Sequence, residues 1–238
     1  MKWIELENYS LPASEEGRRI EAFSLSISRG DICWLDADVT ADTLLFFKAL
    51  ATLVSPLAGT YSVEGKCLDF SRLDTLLPVK KTIGYITTHS ALISNRSLRE
   101  NLTLMRSYSN NTVFARIDDD IFDLCRHFSI AEKVDLRPEK LEQSDQRAAI
   151  VIREVAKATR LLLLEKPEIY LGHAGFFLYD WLLRGLMDQG VPVVFTSDDK
   201  NFVDSVSNRA LGLHNGQLQE KDNKEHSADT IALNHGLI

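Results

Sequence analysis

The sequence predicts an α/β fold with a parallel-sheet core, an antiparallel β layer at the N-terminus and a helical subdomain in the middle. Three observations predict it. Leu161, Leu162, Leu163 and Leu164 form an unbroken apolar run closed by Glu165, Lys166 and Pro167. Such a run, with a helical pattern before it and a proline after it, reads as a central parallel strand buried on both faces. Asp31 to Leu35 reads as a second buried strand, and a short loop leads from it into a helical pattern over Leu44 to Leu53. Residues 1–30 alternate in the manner of antiparallel strands.

The elements follow in order. Trp3, Ile4 and Leu6 mark one N-terminal strand and Phe23, Leu25 and Ile27 another, with Pro12 to Arg19 as the turn. Tyr9 reads as a half-buried strand residue. Leu45, Ala49 and Leu53 share one stripe of the helix after Leu35. Gly59 to Asp69 reads as a hairpin that completes the β layer. Ile83 to Thr88 is a strand running into a loop. Ser97, with Glu100 three positions on, has the pattern of a capping box at a helix start. Ile121, Phe122 and Cys125 give residues 118–126 a helical spacing, and Arg137-Pro138 breaks the chain after them. The helical subdomain is expected over about residues 88–150. Val193 to Thr196 is the last long buried strand. Ala210 to Leu213 and Gly216 to Leu218 close the fold as a β-turn-β unit. One domain is therefore expected over 1–218, with a polar tail over 219–238.

Composition narrows the function classes. The chain has 238 residues, 45% hydrophobic and 26% charged, enough for one sizeable core. Its apolar runs are too short to span a membrane, and Met1-Lys2-Trp3-Ile4-Glu5 does not read as a signal peptide. Cys33, Cys67 and Cys125 are scattered, the usage of reduced thiols in a cytoplasmic protein. The net charge of −7 and the absence of a basic stripe argue against nucleic acid as a partner.

The segment Leu161 to Pro167 resembles the Walker B strand of ABC-transporter ATP-binding subunits, which has four apolar residues and then Asp-Glu-Pro. Arg153 lies on the preceding helix. Leu141-Glu142-Gln143-Ser144-Asp145 stands, without insertion or deletion, where that family has its Leu-Ser-Gly-Gly-Gln signature. The resemblance covers about residues 1–218 and implies a P-loop NTPase fold of the ABC ATPase kind.

Position by position, the family's chemistry is replaced. Its loop Gly-x-x-Gly-x-Gly-Lys-Ser corresponds to Ala37-Asp38-Val39-Thr40-Ala41-Asp42-Thr43-Leu44. Every glycine is gone, Thr43 stands for the lysine and Leu44 for the magnesium-binding serine. Phosphate cradling needs inward-facing N–H groups, which the glycines permit, and the lysine charge. Asp38 and Asp42 add negative charge instead. Two like charges near 4 Å repel by about 4 kcal/mol at a near-surface dielectric. A carboxylate at a helix start also favours the helix dipole, so Asp42 can serve as a cap. In the signature slot, Glu142 and Asp145 bring two carboxylates, and Asp145 or Ser144 is expected as a helix cap. Thr88 holds the place of the family's magnesium-sensing glutamine. Glu165 retains a carboxylate that could hold magnesium, whereas Lys166 replaces the general base and, protonated, accepts no proton. Asp198 falls at the family's γ-phosphate histidine, and Ala13 near its adenine-stacking aromatic residue.

The segment Leu92 to Leu102 departs less from the family, which forms with it part of the groove that receives a membrane permease. Leu92, Ile93, Leu98 and Glu100 are its candidate docking residues. The resemblance thus implies a degenerate homologue of an ABC-transporter ATP-binding subunit. It would lie at the cytoplasmic face of a membrane, bind a permease, and act as a structural or regulatory partner beside it, with no catalytic residue, ATP or Mg2+ of its own. The alternative is a genuine ATP-binding subunit, active alone or beside an active ATPase partner, that uses ATP and Mg2+ to power substrate export or lipid transport. Lys166 is expected to pair with one or more of Asp38, Asp42, Glu165 and Asp198 in place of a metal.

Overall fold

The computed structural model describes residues 2–13, 19–104, 116–157, 159–168 and 182–221. The chain divides into two compact units, residues 1–76 with 192–238, and residues 77–191.

In the first unit, β1 (Lys2–Leu11), β2 (Ile20–Ser28), β4 (Ala58–Val63) and β5 (Lys66–Cys67) form an antiparallel sheet in the order β2-β1-β4-β5. Its core positions change phase part-way along β1. Ile4 and Leu6 are buried, and then Tyr9 and Leu11. The cause is a register shift in the pairing with β4 between Glu7 and Ser10. Asn8 there has a φ of 47°. One extra residue in a strand flips every later side chain to the other face, and here it keeps both apolar pairs on the core. Tyr9 is accordingly fully buried rather than half-buried, packed edge-on against Phe23 and Tyr61.

β3 (Ile32–Ala37) runs parallel to β8 (Val193–Thr196) on one side and to β9 (Arg209–His214) on the other. β10 (Gln217–Lys221) pairs antiparallel with β9. α1 (Thr40–Leu50) follows β3 directly and buries Leu45, Phe46, Phe47, Ala49 and Leu50. Phe46 meets Phe23 of β2, and the Tyr61 hydroxyl donates to the Leu50 carbonyl at 2.8 Å. Each such buried aromatic or leucine side chain contributes about 1.5–3 kcal/mol. The start of β9 is pinned to the turn before β3. Asn208 accepts from Ile32 N at 2.8 Å and donates to Gly30 O at 2.8 Å. Arg209 donates to Ser26 O at 2.9 Å and pairs with Asp31 and Glu220. α7 (Lys200–Val206) is capped by Asp199, which accepts from Phe202 N at 3.2 Å.

α2 (Leu73–Lys80) crosses the boundary between the units. In the second unit, β6 (Ile83–Ile86) and β7 (Leu161–Glu165) are parallel, with Ile83 opposite Leu161. All five residues of β7 are buried, as the leucine run predicts. The helices are α3 (Leu98–Leu102), α4 (Asp119–His127), α5 (Gln143–Val155) and α6 over 182–188. No described helix is long and apolar enough to cross a membrane.

Three expectations need adjustment. The helix after β3 spans Thr40–Leu50, not 44–53. It starts early because Val39 is extended and its carbonyl takes the next turn's N–H groups. It stops early because Thr52 turns left-handed, with a φ of 56°, and leaves Leu53 exposed. β10 runs to Lys221, past the expected domain end at 218, and the rest of the tail lies outside the described residues, as do 14–18 of the first turn. The second unit holds β6 and β7 as well as the helices expected over 88–150.

Gly59 and Gly65 both have positive φ, 90° and 76°. A Cβ at Gly59 would lie 2.4 Å from Asn8 O at the bulge, whereas one at Gly65 would meet nothing within 4 Å. Gly65→Ala should therefore lose only about 1–2 kcal/mol to backbone strain. Gly59→Ala should lose roughly a further 1–3 kcal/mol to overpacking. Urea unfolding of the two variants checks this, and equal losses would show that the bulge yields freely.

Candidate functional site

The loop slot of the resemblance lies in the first unit. Only Asp38 and Val39 separate β3 from α1, so Thr40, Ala41, Asp42, Thr43 and Leu44 are helical. Val39 is the N-cap and supplies no side-chain bond. Its carbonyl accepts Asp42 N at 3.1 Å and Thr43 N at 3.2 Å. Asp42 is 0% exposed, in the first turn, where a carboxylate meets the positive end of the helix dipole. Asp38 is exposed, accepts from Asn215 N at 3.3 Å and donates its own N–H to Leu213 O at 3.4 Å. Ala37 ends β3. Asp198 is exposed just past β8.

The other slots lie in the second unit, and the structure brings two of their residues together. Glu165 ends β7 at 5% exposure. Its carboxylate accepts Thr88 N at 3.0 Å and the Thr88 hydroxyl at 3.3 Å. Lys166 has a φ of 45° directly before Pro167, a strained conformation of the kind that clusters at functional loops. Of the carboxylates expected to pair with Lys166, Glu165 precedes it in the second unit, and Asp38, Asp42 and Asp198 belong to the first.

In the signature slot, Leu141 is buried and Gln143 and Ser144 are exposed. The N-cap is Glu142, not Asp145 or Ser144. Asp145, three residues on, folds back to accept Glu142 N at 3.2 Å and pairs with Lys133 at 2.7 Å. The bond it donates to Asp145 holds the Lys133 ammonium above its ordinary pKa. Among the described residues, no group of three or more His, Cys, Asp or Glu side chains is placed to hold a metal ion. Burial pushes the Cys33 thiol up to about 12 and that of Cys125 to about 11, so neither offers a thiolate near neutrality.

Solved structures resolve the fold. The dimeric structure of a bacterial ABC transporter cassette superposes with a TM-score of 0.76, covering 92% of this chain and 98% of its own at 17% identity. The ATP-binding subunit of an ABC transporter gives 0.77, covering 98% and 95% at 14% identity. The fold is that of an ATP-binding cassette. Relatives in sequence agree with it. A methionine import ATP-binding protein of Mannheimia succiniciproducens is 23% identical over 222 residues, 92% of this chain and 64% of the relative. A macrolide export ATP-binding/permease protein of Campylobacter jejuni is 22% identical over 219 residues, 92% of this chain and 34% of the relative. The chain thus spans less than two thirds of either. No protein-family model matches it.

The segment from Leu92 to Leu102, where the resemblance puts a docking surface, is built from inside. Leu98 is 0% exposed, so it supports the segment and presents no surface. Glu100 closes the expected capping box, accepting Ser97 N at 2.7 Å while the Ser97 hydroxyl accepts Glu100 N at 3.2 Å. The bond from Ser97 N holds the Glu100 carboxyl below its ordinary pKa. Leu92 is half-buried, and Ile93 is 37% exposed. Two further residues hold the segment in place. Buried Asn101 accepts Ile93 N at 2.8 Å and donates to Ile93 O at 3.1 Å and Ser97 O at 3.0 Å. Arg153 of α5 donates to Ala91 O at 2.9 Å. The sequence offers no signal for the contacts of Asn101 with Ile93 and of Arg153 with Ala91 beyond the residue types, because they join positions that no local pattern links.

The bond between Glu165 and Thr88 N is charge-assisted and partly buried. Glu165→Ala should therefore destabilise the chain by about 1.5–3 kcal/mol. Thr88→Ala keeps the backbone donor and should lose about 1 kcal/mol or less. Denaturant melts compare the two, and a Thr88→Ala loss as large as that of Glu165→Ala would move the interaction to the hydroxyl.

Proposed function

We propose that this chain is a degenerate ATP-binding cassette that binds a membrane permease without hydrolysing ATP, as a structural or regulatory partner of a transporter. The observation that carries the reading is the β3–α1 junction. Two residues, Asp38 and Val39, connect strand to helix, and the N–H groups of Asp42 and Thr43 are directed to Val39 O. A phosphate cradle needs such groups turned outward to the anion, with a cation beside them. Here a fully buried carboxylate stands in the first turn, and Thr43 and Leu44 occupy the lysine and serine places. These residues do not fit a magnesium triphosphate. Glu165 and Asp145 are in addition engaged by Thr88 and Lys133.

Calorimetric titration with Mg-ATP tests the first half. No saturable heat is expected at millimolar nucleotide, and a micromolar dissociation constant would replace this reading with a genuine ATP-binding subunit. That alternative draws on relatives that are themselves named ATP-binding.

The second half rests on the segment from Leu92 to Leu102, whose shape is held by bonds that involve no nucleotide. Ile93→Asp should abolish co-purification with a membrane partner and leave the thermal melt unchanged, since Ile93 is exposed. Asp38→Ala should preserve co-purification. The opposite pattern would place the contact at the β3–α1 junction.

A further inference from the structure

One opening that the nucleotide reading leaves unused lies in the second unit. It is a cavity of about 530 Å3 bounded by α4, the end of α5 and α6. Its walls are Ile121 and Leu124 from α4, Val155 from α5, and Leu182 and Leu186 from α6. The volume falls in the range of small-molecule sites, ~300–1,000 Å3, and the mainly apolar lining with few polar groups has their character.

Two observations indicate that the space is kept open and suggest what fits it. Gly185 sits inside α6 on the cavity wall, and a Cβ there would meet nothing within 4 Å. A glycine inside a helix is unfavourable, and no neighbouring atom requires this one. What it leaves is room in the cavity. Two of the polar groups at the margin offer only acceptors. Asp120 is an exposed carboxylate in the first turn of α4, with Asp119 beside it. The Thr159 hydroxyl commits its hydrogen to Glu154 O at 2.7 Å and leaves only lone pairs. Gln189 offers an amide that can turn either way.

We propose that this cavity is a binding site for a small amphiphile with an apolar body and a cationic amine head. The body lies against Ile121, Leu182 and Leu186, and the ammonium meets Asp120 and the Thr159 oxygen. The site does not depend on the state of the β3–α1 junction, so it stands or falls apart from the nucleotide reading.

The test is calorimetric titration of the full chain with octylamine, octanol and octanoate, which share one body and differ in head. Octylamine should bind saturably, octanol more weakly and octanoate least. Gly185→Ala should fold, melt no lower than the parent and bind octylamine more weakly. Gly185→Leu should abolish binding. Asp120→Asn should weaken octylamine by roughly three- to fivefold, the most that an exposed ion pair supplies, and leave octanol unchanged. Three results would each overturn the proposal: no saturable octylamine signal, full-strength binding in both Gly185 variants, or octanoate binding as tightly as octylamine.

Discussion

Where β3 hands the chain to α1, one carbonyl governs what the junction can do. Val39 O takes the N–H groups of Asp42 and Thr43, so the helix begins two residues after the strand ends. Buried backbone donors must be satisfied, and here they are satisfied within the chain. Much of the first unit follows from that early start. It seats Leu45, Phe46, Phe47 and Leu50 against the antiparallel sheet. It also puts the Asp42 carboxylate into the first turn, where the helix dipole favours it by roughly 0.3–1 kcal/mol or more when buried. A side chain thereby supplies the negative charge that a helix N-terminus otherwise takes from a ligand.

Internal partners also meet the acids of the second unit. Asp145 turns back onto the start of α5 and is met by Lys133. Glu165, at the carboxyl end of a parallel strand, is met by Thr88 N. Ligands bind at that edge in α/β sheets because backbone and side-chain groups converge there. Convergence remains in this chain, but its acids have protein donors. An isolated buried carboxylate would be unstable, so replacing a metal or phosphate requires such donors nearby.

The frame was legible in the sequence and the details were not, for identifiable reasons. The leucine run of β7, the strand Val193–Thr196 and the Ser97–Glu100 box all depend on local pattern, and each is where that pattern puts it. The start of α1 misled because Thr40 to Thr43 lack an apolar stripe, so periodicity begins only at Leu44. For the cap of α5, expected at Asp145 or Ser144, acids at both 142 and 145 suit a helix start, and only geometry makes Glu142 the N-cap and Asp145 its partner in the capping box. Leu98 looked like surface in a segment known only by resemblance, yet it is core. α2 and α7 are short and weakly periodic, and gave no reading. The cavity beside Gly185 is a property of three helices distant in sequence and has no local signature.

The segment from Leu92 to Leu102 is held by a set of bonds of its own. The loop from Ile93 to Ser97 is tied by the Asn101 side chain through three bonds to two backbone positions. Each is worth about 1 kcal/mol net, and more if broken with a partner left buried. Arg153 adds a bond from α5 to Ala91 O. None of these residues belongs to the loop slot, the signature slot or the end of β7. Their bonds therefore do not change when Thr43 stands for a lysine or Lys166 for a carboxylate. The shape of this segment and the shape of the β3–α1 junction thus depend on different side chains, and a change at one leaves the bonds of the other intact.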